Sequence, residues 1–221
     1  MKLLPAFLFT IAAFAGVPNA GEELQYNITW PSGLSLGEGR LKASKAENAN
    51  WTFELQFDAA VPGFAVADRY TSLTNAETCS LTFDKELSHG KRRTQERITF
   101  GDGTATRETI GGGKSTLKIP QCARDALAFV YHLRQEVAAG RIPKSQNVYY
   151  GGPYQATLEY GGTQRVKVGD AMENADRIIV NVRGPASELR IEMFVGKDAS
   201  RTPLVVKVPS TMGEFTLELV R

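Results

Sequence analysis

The sequence predicts a mainly β protein: a single large antiparallel curled sheet, or open barrel-like sandwich, with one amphipathic helix packed on it. Three observations carry this. Apolar residues alternate with polar ones along most segments, glycine-rich turns punctuate those segments at short intervals, and a single stretch, residues 120–140, spaces its apolar residues as a helix does.

The strands can be taken in order. "LQYNITW" sets Leu24, Tyr26, Ile28 and Trp30 on one side and Gln25, Asn27 and Thr29 on the other, the pattern of a half-buried strand. "NWTFELQFDAAV" repeats it with Trp51, Phe53, Leu55 and Phe57, and "GEFTLELV" repeats it again with Phe215, Leu217 and Leu219. Between them "GRLKASKAE", "ADRYTSLTN", "CSLTFDKEL", "RRTQERITF", "TATRETI", "YQATLEYGG", "QRVKVGDAM", "RIIVNV", "ELRIEMFV" and "PLVVKV" read the same way. The turns "GDG" at 101–103, "GGG" at 111–113, "GG" at 161–162 and "TMG" at 211–213 supply residues that tolerate positive φ in tight reversals. A parallel α/β fold needs a helix between successive strands, and those helices are missing from the pattern. More than ten antiparallel strands in one meander are therefore expected, with their order left open. Gly140 and Pro143, in "AAGRIPKSQNVYYGGP" at 138–153, mark the softest boundary, which divides the sheet into halves around the helix.

The chain has 221 residues, 42% hydrophobic and 23% charged, enough for one sizeable core, and we read residues 21–221 as a single domain. The opening "MKLLPAFLFTIAAFAGVPNAGEELQY" has a basic Lys2, an apolar run from Leu3 to Phe14 and then small residues, the layout of a secretory signal peptide over residues 1–20. A membrane anchor needs an apolar run of roughly 20 residues, and Gly16, Pro18 and Asn19 stop this one short. Cleavage after Ala15 or after Ala20 fits, and no cysteine stands beside either site to take a lipid. The expected location is the periplasm, as a protein that is not integral to the membrane. Removing residues 1–20 takes one basic side chain from the 26, against 24 acidic ones. So balanced a chain exerts no net pull on nucleic acid, which is not an expected partner. Cys79 and Cys122 are the whole thiol inventory. In an oxidising compartment an even count favours a bridge, worth roughly 4 kcal/mol for a loop of this length; two separate buried thiols are the alternative.

On a helical wheel begun at Asp125, Phe129, Leu133, Ala126, Val137, Val130 and Leu127 form one broad arc, and Asp125, His132, Gln135 and Glu136 take the other side. Asp125 near the N-terminus favours the helix dipole, and Gly140 is placed to cap the C-terminus. The expected helix runs from about 123 to 138. Arg134 falls inside the apolar arc with Tyr131 at its edge. A guanidinium there must snorkel out, pair with a buried acceptor, or face a cavity and a ligand, because burying it bare is too costly.

These residues carry a resemblance. "CARDALAFVYHLRQEVAAGRI", with Asp125, Tyr131, Leu133, Arg134 and Gly140, is similar to the helix motif of the bacterial exported family called domain of unknown function 3108. "CSLTFDKELSHGKRRTQERITF" resembles that family's central hairpin, and "KDASRTPLVVKVPSTMGEFTLEL" its C-terminal one. Phe194, in "EMFVGKD", stands near the place where the family has an aromatic residue or tryptophan. The resemblance implies an envelope protein with a β-rich fold and brings no established activity with it. It also implies, by looser analogy, the open barrels of lipoprotein carriers, in which a helix plugs a curved sheet.

Catalytic and metal-binding patterns are missing. "GGGKST" at 111–116 would need glycine at 108 to be a phosphate loop, where Glu108 stands. His89 and His132 are the only histidines, too few for a transition-metal site once the cysteines are bonded. No serine sits in a G-x-S-x-G elbow, and His89 in "LSHGK" reads as a turn residue. No metal, cofactor or catalytic residue is expected. "HGKRRTQER" at 89–97 reads as a charged strand edge, with a patch for anionic polymer or lipid headgroups as the alternative. Two functions lead, with an unrecognised hydrolase ranked last. One is a carrier of a small hydrophobic or amphiphilic ligand, with Arg134, Tyr131 and Asp125 as ligand-facing or core polar residues; the other is an envelope assembly factor acting through protein contacts. An apolar cavity beside the helix, and whether Arg134 faces it, separates them.

Overall fold

A computed structural model of the chain describes residues 20–61, 63–185, 187–210 and 213–221; the expected signal peptide, Ala20 apart, lies outside them. The elements are β1 (Glu22–Thr29), β2 (Ser35–Lys45), β3 (Trp51–Val61), β4 (Phe64–Thr74), β5 (Ser80–His89), β6 (Arg92–Gly101), β7 (Thr104–Thr109), β8 (Lys114–Lys118) and β9 (Arg124–Asp125). Then come α1 (Ala126–Ala138), β10 (Gln146–Tyr149), β11 (Pro153–Val168), β12 (Ala171–Arg183), β13 (Glu188–Gly196), β14 (Pro203–Ser210) and β15 (Gly213–Leu219). Mainly β, with one α-helix among the described residues, the fold is of the class the alternation predicts.

All 15 strands belong to one sheet, in the order β8-β7-β6-β5-β4-β3-β2-β1-β15-β14-β13-β12-β11-β10-β9. That is chain order written around a circle and cut once, between β8 and β9. Apart from β8 and β9, consecutive strands therefore pair, and β1 joins β15 through Tyr26 opposite Leu219. One expectation needs correcting: the sheet is mixed, because β9 runs parallel to β10, Arg124 opposite Val148 and Asp125 opposite Tyr149. A parallel pair cannot be joined by a tight turn and needs a crossover. The helix is that crossover, and this is why a β-rich chain carries one. Beyond the stretch 138–145, β10 continues the same sheet.

Close strand approach is written into the glycines at one place in particular. Gly37 has φ +155°, and a Cβ there would lie 2.0 Å from the Asp58 carbonyl oxygen, so the β2–β3 pairing closes only over glycine.

The helix lies inside the curl. Tyr131 stacks on Phe53 of β3 with ring centroids 3.8 Å apart. Phe129, Leu133 and Val137 pack with Val148, Ala156, Ile178, Val180 and Met193 of β10 to β13. One helix touches both halves of the sheet, so the sheet must wrap around it. Antiparallel pairing sends alternate turns to two ends of this open barrel. The β1–β2, β3–β4, β5–β6, β7–β8, β12–β13 and β14–β15 turns share the first end. The second end holds the β2–β3, β4–β5, β6–β7 and β13–β14 turns.

Candidate functional site

The second end is plugged. Asp125 is the helix N-cap, in extended conformation, rather than a residue of the helix. Its carboxylate Oδ1 accepts from the backbone N–H groups of Leu127 and Ala128 at 2.8 and 3.0 Å. Oδ2 accepts from the hydroxyls of Ser72 and Ser80 at 2.5 and 2.6 Å, and Ser80 in turn accepts from the Asp125 backbone N–H. The wheel's placement of Asp125 on a polar outer side is thus corrected: it is fully buried. Burial without a cation pushes its carboxyl up, and the four hydrogen bonds oppose that rise. The helix begins at Ala126 rather than 123, since Arg124 and Asp125 are taken up by the β9 pairing. Gly140, at φ +73°, ends it by donating to the Val137 carbonyl.

Arg134 is 1% exposed. Its guanidinium donates to both carboxylate oxygens of Glu22, at 2.8 and 2.6 Å, and its Nε to the carbonyls of Ser200 and Arg201. It also lies 5.0 Å from the centroid of the Tyr131 ring. The charge that the helix carries into the core is therefore met by β1 and the β13–β14 turn. Arg201 continues the network to Asp176, which also accepts from Tyr160, Thr163 and Lys197. Cys79 and Cys122 are bonded, their Cα atoms 4.6 Å apart, tying the β8–β9 crossing to the β4–β5 turn.

Above the helix a cavity of about 450 Å³ opens. Its floor is the upper helix face, Leu127, Phe129, Val130 and Leu133. Its walls are Leu55, Phe57, Tyr70 and Phe83 on one side and Ala156, Val180, Ile191 and Met193 on the other. Exposure grows away from the helix: Leu133 and Met193 are buried, Leu189, Tyr154 and Val208 are half-buried, and Ser187 in the β12–β13 turn is exposed. The cavity thus opens toward the first end. Arg134, Tyr131 and Asp125 do not line it.

Polar groups gather on one wall, and the sequence reading did not foresee them. The Tyr150 hydroxyl donates to that of Tyr70 at 2.9 Å, and Tyr70 donates to Asp68 at 3.3 Å. Asp68 also meets His89 Nε2 at 3.0 Å. Burial pushes the Tyr70 hydroxyl far above its usual range and raises Tyr150 as well, so both stay neutral; their O–H groups are spent within the chain and their oxygens remain as acceptors. Behind the Tyr150 ring, 4.2 Å from its centroid, stands Lys85, 5% exposed. Lys85 pairs with Glu96 at 2.5 Å, and Arg107 meets the other Glu96 oxygen at the same distance. Burial disfavours the charged Glu96, but these two cations outweigh it and hold its carboxyl below the usual range. Arg107 Nε is left without an acceptor among the described residues. The periodicity held a signal for this cluster: Lys85 follows Phe83 by two, Glu96 precedes Ile98 by two and Arg107 follows Ala105 by two, all on the inward face.

Residues 25–220 match the family described as "Protein of unknown function (DUF3108)". The chain belongs to this family. Among curated proteins none matches it. A solved structure, that of a β-barrel-like protein of domain of unknown function DUF1849 from Brucella abortus, is similar to this DUF3108 chain with a TM-score of 0.68. The likeness covers 93% of this chain and 98% of that one at 12% identity, and so concerns the fold alone. No helix among the described residues is long and apolar enough to cross a membrane.

Proposed function

We propose that this DUF3108 protein is exported to the periplasm, with residues 1–20 removed, and there binds or carries a hydrophobic or amphiphilic small molecule in the cavity above the helix. The observation that carries the reading is the cavity itself. About 450 Å³ lies within the range of roughly 300–1,000 Å³ typical of small-molecule sites. Its surface is apolar but for a few hydroxyls, and each methylene seated there gains about 0.8 kcal/mol over water. The oxygens of the tyrosine pair offer one polar anchor, as acceptors, to the head of a chain-like ligand. In this reading Asp125, Tyr131 and Arg134 hold the plug rather than the ligand.

Native mass spectrometry of protein purified from its own envelope tests this, alongside displacement of a fluorescent fatty-acid probe. Ile191→Trp places an indole in the cavity and should abolish probe binding with little change in melting temperature. Probe binding undiminished in that variant, with no ligand co-purifying from wild type, would sink the proposal. The assembly-factor reading draws on one observation, the closure of Arg134 by a protein carboxylate, and would then take its place.

A further inference from the structure

The open rim of the barrel combines exposed apolar side chains with cations around the mouth of the cavity, a combination that the other end, where Met172 and Val220 are also exposed, sets beside no such mouth. Three of the large apolar side chains most exposed to water stand on its turns: Leu34 (60% exposed) between β1 and β2, Phe64 (42%) after the β3–β4 turn, and Ile110 (64%) in the β7–β8 turn. Near them Trp30 packs edge-on against Phe215 at 5.1 Å, half-buried. The same rim carries Lys91, Arg92 and Arg93 on the β5–β6 turn and Lys114 at the head of β8, all exposed. None of the four has an ion-pair partner among the described residues, whereas Asp58, Glu188 and Glu214 on this rim are matched by Arg69, Arg183 and Lys207. Glu86 and Glu108 are acids of this region that also lack one among the described residues, Glu108 standing opposite Lys114 on the ladder. Elsewhere in the basic run Arg97 is spent on Asp84, at 2.6 Å.

Exposed apolar tips interleaved with unpaired cations are the chemistry of a surface that meets an anionic bilayer. Apolar tips enter the headgroup region, an indole sits at its level, and lysines and arginines gather at negative lipid charge. The nearly balanced net charge of the whole chain hides this local excess. We propose that the open rim of the barrel docks on an anionic lipid surface, with the cavity mouth facing the bilayer. The proposal goes beyond cavity binding but draws its purpose from it, since a mouth held against lipid admits an amphiphile without passage through water.

Flotation with vesicles of phosphatidylcholine alone, or of phosphatidylcholine with one-third phosphatidylglycerol, tests it. Wild type should float with the anionic vesicles, at least about tenfold better than with neutral ones, and lose this preference in high salt. The triple variant Lys91→Glu/Arg92→Glu/Arg93→Glu should lose the preference, and Phe64→Ser/Ile110→Ser should weaken flotation, each with an unchanged circular dichroism spectrum. Both variants should still bind the fatty-acid probe in solution, which keeps this test separate from that of the cavity. Equal binding to both vesicle types, wild-type flotation of the triple variant, or no flotation at all would overturn the docking proposal; the last outcome would leave the rim to a protein partner.

Discussion

The two ends of the barrel are built from the same alternating strands and end up as opposites. At the plugged end inward polar groups find partners inside the protein: Asp125 with two serines and two backbone N–H groups, Arg134 with Glu22 and two carbonyls. At the open end inward apolar side chains such as Leu189 and Val208 stay half-exposed around a cavity. The difference traces to one helix, which covers half of a concave face that alternation alone would leave bare. Polar satisfaction marks where the chain is finished; unsatisfied apolar surface marks where it expects company.

The sharpest way to break this comparison is Arg134→Ala. It strands the Glu22 carboxylate in a buried site, and removing one partner of such a pair typically costs about 3–5 kcal/mol. Urea melts should show that loss, while the folded fraction keeps its affinity for a fatty-acid probe. Weakened probe binding with near-native stability would mean that the plug and the cavity are one site. Cys79→Ala/Cys122→Ala comes next. The bridge closes a separation of 43 residues, and its loss should cost about 2–4 kcal/mol, again at the plugged end. Melts with and without reductant should reproduce the same difference in wild type.

A paired truncation compares the ends directly. Leu133 is fully buried on the helix, so Leu133→Ala should cost about 2–5 kcal/mol. Leu189 lines the mouth and is half-buried, so Leu189→Ala should cost less than about 1 kcal/mol and act mainly on ligand capture. Equal costs would show that the mouth is as tightly packed as the plug.

Much of this was legible in the sequence. The strands announce themselves through period-two alternation because one face of each is buried, and the helix through its apolar arc. The parallel β9–β10 pair was not legible, since two residues carry no period. Asp125 was misplaced because a helical wheel treats an N-cap as though it were inside the helix. Arg134 was marked as needing an acceptor, but nothing local names Glu22, 112 positions away. The inward Lys85, Glu96 and Arg107 were readable from register once Phe83 and Ile98 faced inward. Their mutual pairing depended on which strands became neighbours, and periodicity within a strand is blind to that.

The smallest expected effect concerns acid. His132 is half-buried on α1, and burial, with Arg124 and Arg141 nearby and Glu136 opposing them, lowers its pKa from 6.5 to about 4. An unfolded chain would therefore take up this proton first as pH falls. The stability tied to neutral His132 is complete above pH 6.5 and drains away between 6.5 and about 4. Solvent reaches part of the ring and screens the effect, so about 1 kcal/mol is expected. His132→Gln cannot take up the proton and should flatten that portion of the stability profile, leaving intact the further loss in stronger acid, where Glu96 and Asp176, both held below their usual range against burial by their hydrogen-bonded and cationic partners, are protonated more readily in the unfolded chain than in the folded one. Because His132 sits on the plug, the affinity of the folded protein for a fatty-acid probe should stay level from pH 7 to 5 in both proteins. A drop in affinity over that range in wild type alone would show that the helix carries a change at the closed end through to the cavity floor, and the two ends would then be coupled.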